Sequence, residues 1–222
     1  MAKLKDSKGK DSSGGYTRLF DDTAVGRLMS RVHGAVISAG TELESMIKDR
    51  VQIIDNLDEF LEHEIMPDGV FVADKQKVKG CRTLDFAGAE PDFVIFKRRD
   101  GEQRCHVVEL KDGHTFDTKK AAAEHQAMHA FISKNAQHLQ FTMQAHFCCF
   151  NQDNRQAIVE GYKSKIAMEE AMTGEEFCNL LELDYHEIVE KRTGDGAENL
   201  RYFLSELLKI DKVRRLLKRL GG

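Results

Sequence analysis

Apolar residues recur three and four positions apart through residues 17–50: Leu19, Val25, Leu28, Met29, Val32, Val36, Ile37, Leu43, Met46 and Ile47. That spacing lines one face of a helix, so one or two helices are predicted there, with Gly34 and Gly40 marking a break or a close helix contact. Residues 51–65 give a further amphipathic helix, stopped by Pro67-Asp68-Gly69. The pattern then changes to short apolar runs of strand length, at 70–73, 92–97, 103–110 and 141–150. Between the second and third of these, Asp100-Gly101 is a hairpin signal, because glycine tolerates the positive φ that tight two-residue turns require. A helix is predicted over 118–135, and residues 155–172 are left open between helix and strand. Another helix starts after Thr173, whose spacing to Glu176 is that of a capping box, and a terminal helix runs from about 198. Residues 1–15, rich in Lys, Ser, Gly and Asp, read as a flexible tail.

Composition narrows the class. With 222 residues, 41% of them hydrophobic, and only two prolines, the chain suits one α/β domain over 16–222 with a sizeable core. No apolar run approaches the roughly 20 residues that span a bilayer, and the first residues lack the apolar stretch of a signal peptide. Cys81, Cys105, Cys148, Cys149 and Cys178 are odd in number and show no CxxC spacing, which favours free thiols in a cytoplasmic protein over disulfides or a cysteine zinc site. There is no internal repeat, P-loop or dinucleotide fingerprint, so no nucleotide cofactor is expected.

The net charge of −4 argues at first against a nucleic-acid partner, but distribution matters more than the sum. Acidic residues crowd 42–68 (Glu42, Glu44, Asp49, Asp55, Asp58, Glu59, Glu62, Glu64, Asp68). The last stretch carries Arg201, Lys209, Lys212, Arg214, Arg215, Lys218 and Arg219. A basic face can coexist with an acidic body, although a solvated helix surface gives the same pattern.

The chemistry concentrates in Glu90-Pro91-Asp92-Phe93-Val94-Ile95-Phe96 and His106-Val107-Val108-Glu109-Leu110-Lys111. If the two runs pair as a hairpin, Asp92 at the start of one meets Glu109 and Lys111 at the end of the other. Glu109 and Lys111 share a strand face because side chains alternate, and Val108 and Leu110 turn the other way into the core. Two carboxylates and an ammonium suit metal-assisted phosphodiester hydrolysis: hard divalent cations take carboxylate, water and phosphate oxygens, neutralise the scissile phosphate and acidify water. An ordinary surface ion pair between Glu109 and Lys111 is the plain alternative, but it leaves unexplained why a carboxylate ends each apolar run.

Pro91-Asp92 and Glu109-Leu110-Lys111 resemble the motif of the PD-(D/E)XK nuclease superfamily, and the resemblance extends over residues 41–150. It implies a restriction-endonuclease-like core, a central mixed β-sheet flanked by helices, here with extra N- and C-terminal helices. It also implies Asp92 and Glu109 as metal ligands and Lys111 as the catalytic cation. A further metal-binding glutamate from an upstream helix is expected at Glu44, on the Gly40–Glu44 spacing, with Glu42 as the alternative. His114, Lys119, Lys120, Gln126, Lys163 and Lys165 are candidates for DNA contact. His125 and His129 share a helix face, a spacing that more often reflects packing than ligation.

The function so implied is a Mg²⁺-dependent type II restriction endonuclease acting on double-stranded DNA at a short specific sequence. Mn²⁺ would substitute, and Ca²⁺ would support binding without cleavage. A structure-specific repair or recombination nuclease of resolvase type is the runner-up, and a catalytically idle DNA-binding module of the same fold is a third reading. A homodimer is expected from the match between a protein two-fold axis and a palindromic site, and from the apolar stripe of Leu200, Phe203, Leu204, Leu207, Leu208, Val213, Leu216 and Leu217.

Overall fold

The computed structural model describes residues 1–8, 14–62, 67–85, 88–114, 121–137 and 139–221. They divide into two compact units, Met46–Tyr185 on one hand and Met1–Ser45 with His186–Gly222 on the other.

The unit Met46–Tyr185 is built on a five-stranded sheet in sequential order: β1 (Gly69–Asp74), β2 (Phe93–Arg99), β3 (Glu102–Lys111), β4 (Thr142–Cys149) and β5 (Ala171–Thr173). The first three strands are antiparallel neighbours, and β3, β4 and β5 are parallel. Asp100 and Gly101 close β2 onto β3 with Arg99 opposite Glu102, and both take positive φ, 54° and 83°, as a twist-matched two-residue turn requires. Parallel neighbours need long crossovers, which α5 (Ala121–Asn135) supplies before β4 and α6 (Arg155–Gly161) before β5.

Phe93, Val94, Ile95 and Phe96 are all buried, so β2 is covered on both faces and reads as a continuous apolar run. One face of the sheet, with Val94, Phe96, Cys105, Val107, Ala145 and Phe147, packs with Met128 and Phe131 of α5 and Ile158 of α6. Glu109 and Lys111 follow Cys105 and Val107 on that same face. Val108 and Leu110 are buried on the other.

Two stretches differ from the sequence reading. Residues 51–56 are extended: Ile53 bridges Val72, with Val72 N–H donating to Gln52 and Ile54 N–H to Val72. Only α3 (Leu57–Glu62) is helical, and 63–66 lie outside the described residues. The unpaired edge of β1 offers backbone partners that outweigh the local helical pattern. In 155–172, α6 is followed by a three-residue strand, β5. The capping box of α7 (Gly174–Leu180) is present as the spacing predicts, Thr173 Oγ1 accepting from Glu176 N–H and Glu176 Oε2 from Thr173 N–H. Glycine is required at 174, since a Cβ there would collide with the Phe150 carbonyl oxygen.

Between β3 and β4, the near-parallel rings of His106 and His146 meet through Nδ1 and Nε2, 2.9 Å apart, and both are buried. Burial depresses both rings from the ordinary 6.5, His106 to about 4 and His146 to about 3. Below about pH 6.5 the unfolded chain therefore takes up protons that the folded chain refuses. Stability is whole above that value and falls as the pH drops toward 4, by up to about 1.4 kcal/mol per pH unit for each ring. Denaturant midpoints should drop between about pH 7 and about pH 5, and His146→Gln should shrink the drop. An unchanged difference in that variant would show that other groups carry the acid sensitivity.

In the second unit, α1 (Gly15–Phe20), α2 (Thr23–Lys48), α8 (Tyr185–Lys209) and α9 (Asp211–Leu220) are joined by the N-terminal residues. The Met1 ammonium pairs with Asp195 at 2.6 Å and Glu42 at 3.0 Å, and Asn199 exchanges hydrogen bonds with the backbone of Ala2 and Leu4. Arg31 donates to the Leu4, Lys5 and Ser7 carbonyls and lies over the Tyr202 ring. Such contacts fix the first seven residues of the stretch read as a tail, and 9–13 lie outside the described residues. Helix α8 begins well before the predicted 198, and Leu200, Leu204 and Leu208 form an exposed stripe on it, with Leu216, Leu217 and Leu220 exposed on α9. No helix among the described residues is long and apolar enough to cross a membrane.

Candidate active site

Pro91 ends the irregular approach to β2, and that approach is held in place by its neighbours. Asp58 accepts hydrogen bonds from Arg82 N–H and from Thr83 N–H and Oγ1, while the buried Asn135 amide brackets Asp85. The next residue, Asp92, extends the β2–β3 register by one position beyond Phe93–Val108, which puts it opposite Glu109. Its Oδ2 accepts a 2.8 Å bond from Leu110 N–H, tying the carboxylate to the end of β3. Two residues apart on β3, Glu109 and Lys111 form an ion pair. From α5, Glu124 brings a third carboxylate to 3.8 Å from Lys111 Nζ.

Because Glu109 and Lys111 continue the face that carries Val107 and Cys105, they stand at the mouth of the apolar core. The side chain of Glu109 is only 13% exposed. Burial, and next the Asp92 carboxylate, push the Glu109 carboxyl up against the pull of Lys111. Burial also raises Asp92, although the Leu110 N–H, Lys111, Lys75 and Lys48 hold it down in part. For Lys111, burial works against the ammonium, but Glu109, Glu124 and Asp92 more than offset it and its pKa is raised. Glu124 Oε2 is buried without a hydrogen-bond partner. The carboxylates thus exceed the positive charge set among them, the electrostatic condition under which oxygen ligands accept a hard divalent cation.

Two further lysines border the site. Asp74 caps α4 (Lys75–Gly80), accepting from Gln76 and Lys77 N–H, and pairs with Lys48 at 3.1 Å. Lys75 and Lys79 bind Glu90 at 2.8 and 2.6 Å, which commits Glu90 to α4. Sequence reasoning missed Glu124, Lys48 and Lys75 as neighbours of the site. Glu124 had one legible signal, an acid in the first turn of the helix that follows the Glu109–Lys111 strand. Lys48 and Lys75 had none, since only the tertiary fold brings them near.

The other candidates are scattered. His114 is exposed just beyond β3, Gln126 is exposed on α5, and Lys163 and Lys165 are exposed in the turn after α6. Lys119 and Lys120 lie outside the described residues. Glu44 is on α2 within the unit of the termini, where Glu42 is engaged by the Met1 ammonium and by Arg192 at 3.5 Å.

Full-length comparison gives the class: the chain belongs to the type II restriction enzymes, which are site-specific deoxyribonucleases. The relative that shows it is the type II restriction enzyme HhaII of Haemophilus parahaemolyticus, 35% identical over 226 residues that cover 99% of each chain. No family model and no solved structure matches the chain.

Proposed function

We propose that this enzyme is a Mg²⁺-dependent endonuclease of the PD-(D/E)XK type, cutting double-stranded DNA at a short specific sequence. The observation that carries the reading is the convergence of Asp92, Glu109 and Lys111 at one end of a hairpin, with both carboxyls raised by burial and Glu109 raised further by Asp92. Asp92 and Glu109 would hold the cation. Glu124 faces them from α5, and Glu44 is kept as a further ligand on the Gly40–Glu44 spacing of the sequence. When bound, the cation supplies charge neutralisation at the scissile phosphate and a more acidic water. The chain's own groups do the rest. Asp92 is fixed by the Leu110 N–H, so its free oxygen is aimed without further ordering cost. Lys111, held by Glu109 and Glu124, would orient the attacking water and meet charge that develops on the phosphoryl oxygens. His114, Gln126, Lys163 and Lys165 offer exposed donors for DNA, and Lys119 and Lys120 are kept as candidates on the sequence alone.

Discrete fragments from plasmid DNA in Mg²⁺ or Mn²⁺, and none in Ca²⁺ or EDTA, are expected. Cutting confined to branched substrates would instead indicate a resolvase-like enzyme, and absence of cutting with every metal would indicate a binding module.

The enzyme would work as a homodimer, one site on each strand of a palindrome. The exposed leucine stripe of α8 and α9 supports this, since a row of apolar side chains in water favours a partner. Light scattering at micromolar protein should give, with cognate DNA, the mass of two chains plus one duplex. A single chain, with and without DNA, would replace the dimer with a monomer that nicks each strand in turn.

A further inference from the structure

Apart from the nuclease carboxylates, His125, His129 and Glu170 each present one ligand atom, a ring nitrogen from each histidine and a carboxylate oxygen, within 4.8 Å of one another. The two histidines stand one turn apart on α5 with ring centroids 4.4 Å apart. Glu170 arrives from the turn just before β5, its Oε1 2.5 Å from His129 and its Oε2 3.4 Å from His125.

Two of the three are held in their orientation by groups outside the cluster. Glu170 Oε2 accepts a 2.7 Å bond from Ala167 N–H, and the Glu170 carbonyl takes the Phe147 N–H of β4 at 2.8 Å, so both the carboxylate and its backbone are anchored. The His125 ring stacks on Phe147, centroids 5.7 Å apart. His129 is the open member, 49% exposed, which leaves a route for an ion and a side of the cluster facing water.

We propose that His125, His129 and Glu170 form a zinc site, with two imidazole nitrogens and one carboxylate oxygen from the chain and water in the fourth position. The donor set is the reason for the metal. Imidazole selects borderline transition ions over Mg²⁺ and Ca²⁺, and two histidines with one carboxylate and a water satisfy a tetrahedral Zn²⁺. Ligand atoms around such an ion stand about 3.3 Å apart. Glu170 meets the two rings through different oxygens, Oε2 at 3.4 Å from His125 and Oε1 at 2.5 Å from His129, so a single ligating oxygen requires the carboxylate and the half-exposed His129 ring to adjust by on the order of 1 Å, within the reach of side-chain rotation. Preset orientation by the Ala167 N–H and by the Phe147 ring is the outer support that metal ligands commonly have. The ion would clamp α5 to the turn that feeds β5, one residue along α5 from Glu124, and so steady the helix that faces Lys111.

Zinc binding to the whole chain, measured by competition with a chromophoric chelator in excess Mg²⁺, tests this independently of the nuclease reading. One Zn²⁺ per chain is expected, both in the wild type and in Asp92→Asn. Affinity should fall by more than about tenfold in His129→Ala and in Glu170→Gln. Because His129 is half exposed, its replacement should leave the fold intact, which far-UV circular dichroism checks. A second readout is the thermal midpoint, which should rise with added Zn²⁺ in the wild type and in Asp92→Asn but not in His129→Ala. Three results would overturn the site: no zinc held in excess Mg²⁺, zinc held equally by His129→Ala and Glu170→Gln, or zinc lost with Asp92→Asn. The first would leave two histidine–carboxylate hydrogen bonds, and the last would move the ion to the nuclease carboxylates.

Discussion

Lys111→Ala should lower DNA cleavage by about a hundredfold or more while leaving DNA affinity close to that of the unaltered enzyme. The ammonium lies among carboxylates, paired with Glu109 and 3.8 Å from Glu124, so in the resting enzyme it is turned toward the groups proposed to hold the cation. On the proposed reading its contribution belongs to the moment when charge builds on the phosphoryl oxygens, and a group that acts then changes the rate rather than the binding. Folding should tolerate the change. Losing the ammonium removes what opposes protonation of Glu109, whose carboxyl is already raised by burial, so the pocket adjusts by taking up a proton. Single-turnover cleavage at saturating enzyme, with affinity measured separately in Ca²⁺, gives the two quantities. Cleavage near the original rate would take Lys111 out of the chemistry.

Asp92→Asn separates charge from shape. The amide oxygen can still accept the Leu110 N–H, so the end of the hairpin stays closed, but one negative charge is gone. With carboxylates crowded at the site, DNA phosphates should bind weakly until a cation is added, and Ca²⁺ should raise specific affinity in the unaltered enzyme. In Asp92→Asn two effects follow together: affinity without metal increases, and most of the calcium-dependent rise disappears. Cleavage in Mg²⁺ should fall by at least about a hundredfold. Fluorescence anisotropy of labelled cognate duplex across a calcium titration reads both binding terms, and an unaltered calcium response would place the cation elsewhere.

Where local chemistry decides the backbone, the sequence was readable. Asp100-Gly101 has a conformational requirement that few dipeptides meet, and it fixes the β2–β3 pairing that brings Asp92 opposite Glu109. Thr173 and Glu176 cap each other within four residues. Distant partners decide the rest. Residues 51–56 have an apolar spacing suited to a helix, yet the free edge of β1 draws them into a bridge at Ile53. Strand β5, three residues long and wholly buried, is too short to show alternation and exists because β4 offers it a parallel neighbour. Glu170 sat in the stretch left open between helix and strand, so nothing pointed to its meeting with His125 and His129.

The tip of the β2–β3 hairpin is fully exposed and carries no chemistry, seven paired positions from the carboxylates. Even so, it works as a counting device. A loop of two residues has no slack, so every partner down the ladder is numbered off from Asp100 and Gly101, and the last number decides which side chain Asp92 faces. A residue added there would have to bulge out, giving up the paired positive φ angles, or pass its offset along β3 and turn Glu109 to the opposite face of the sheet. An exposed turn is therefore a point where this enzyme can accept little change in length.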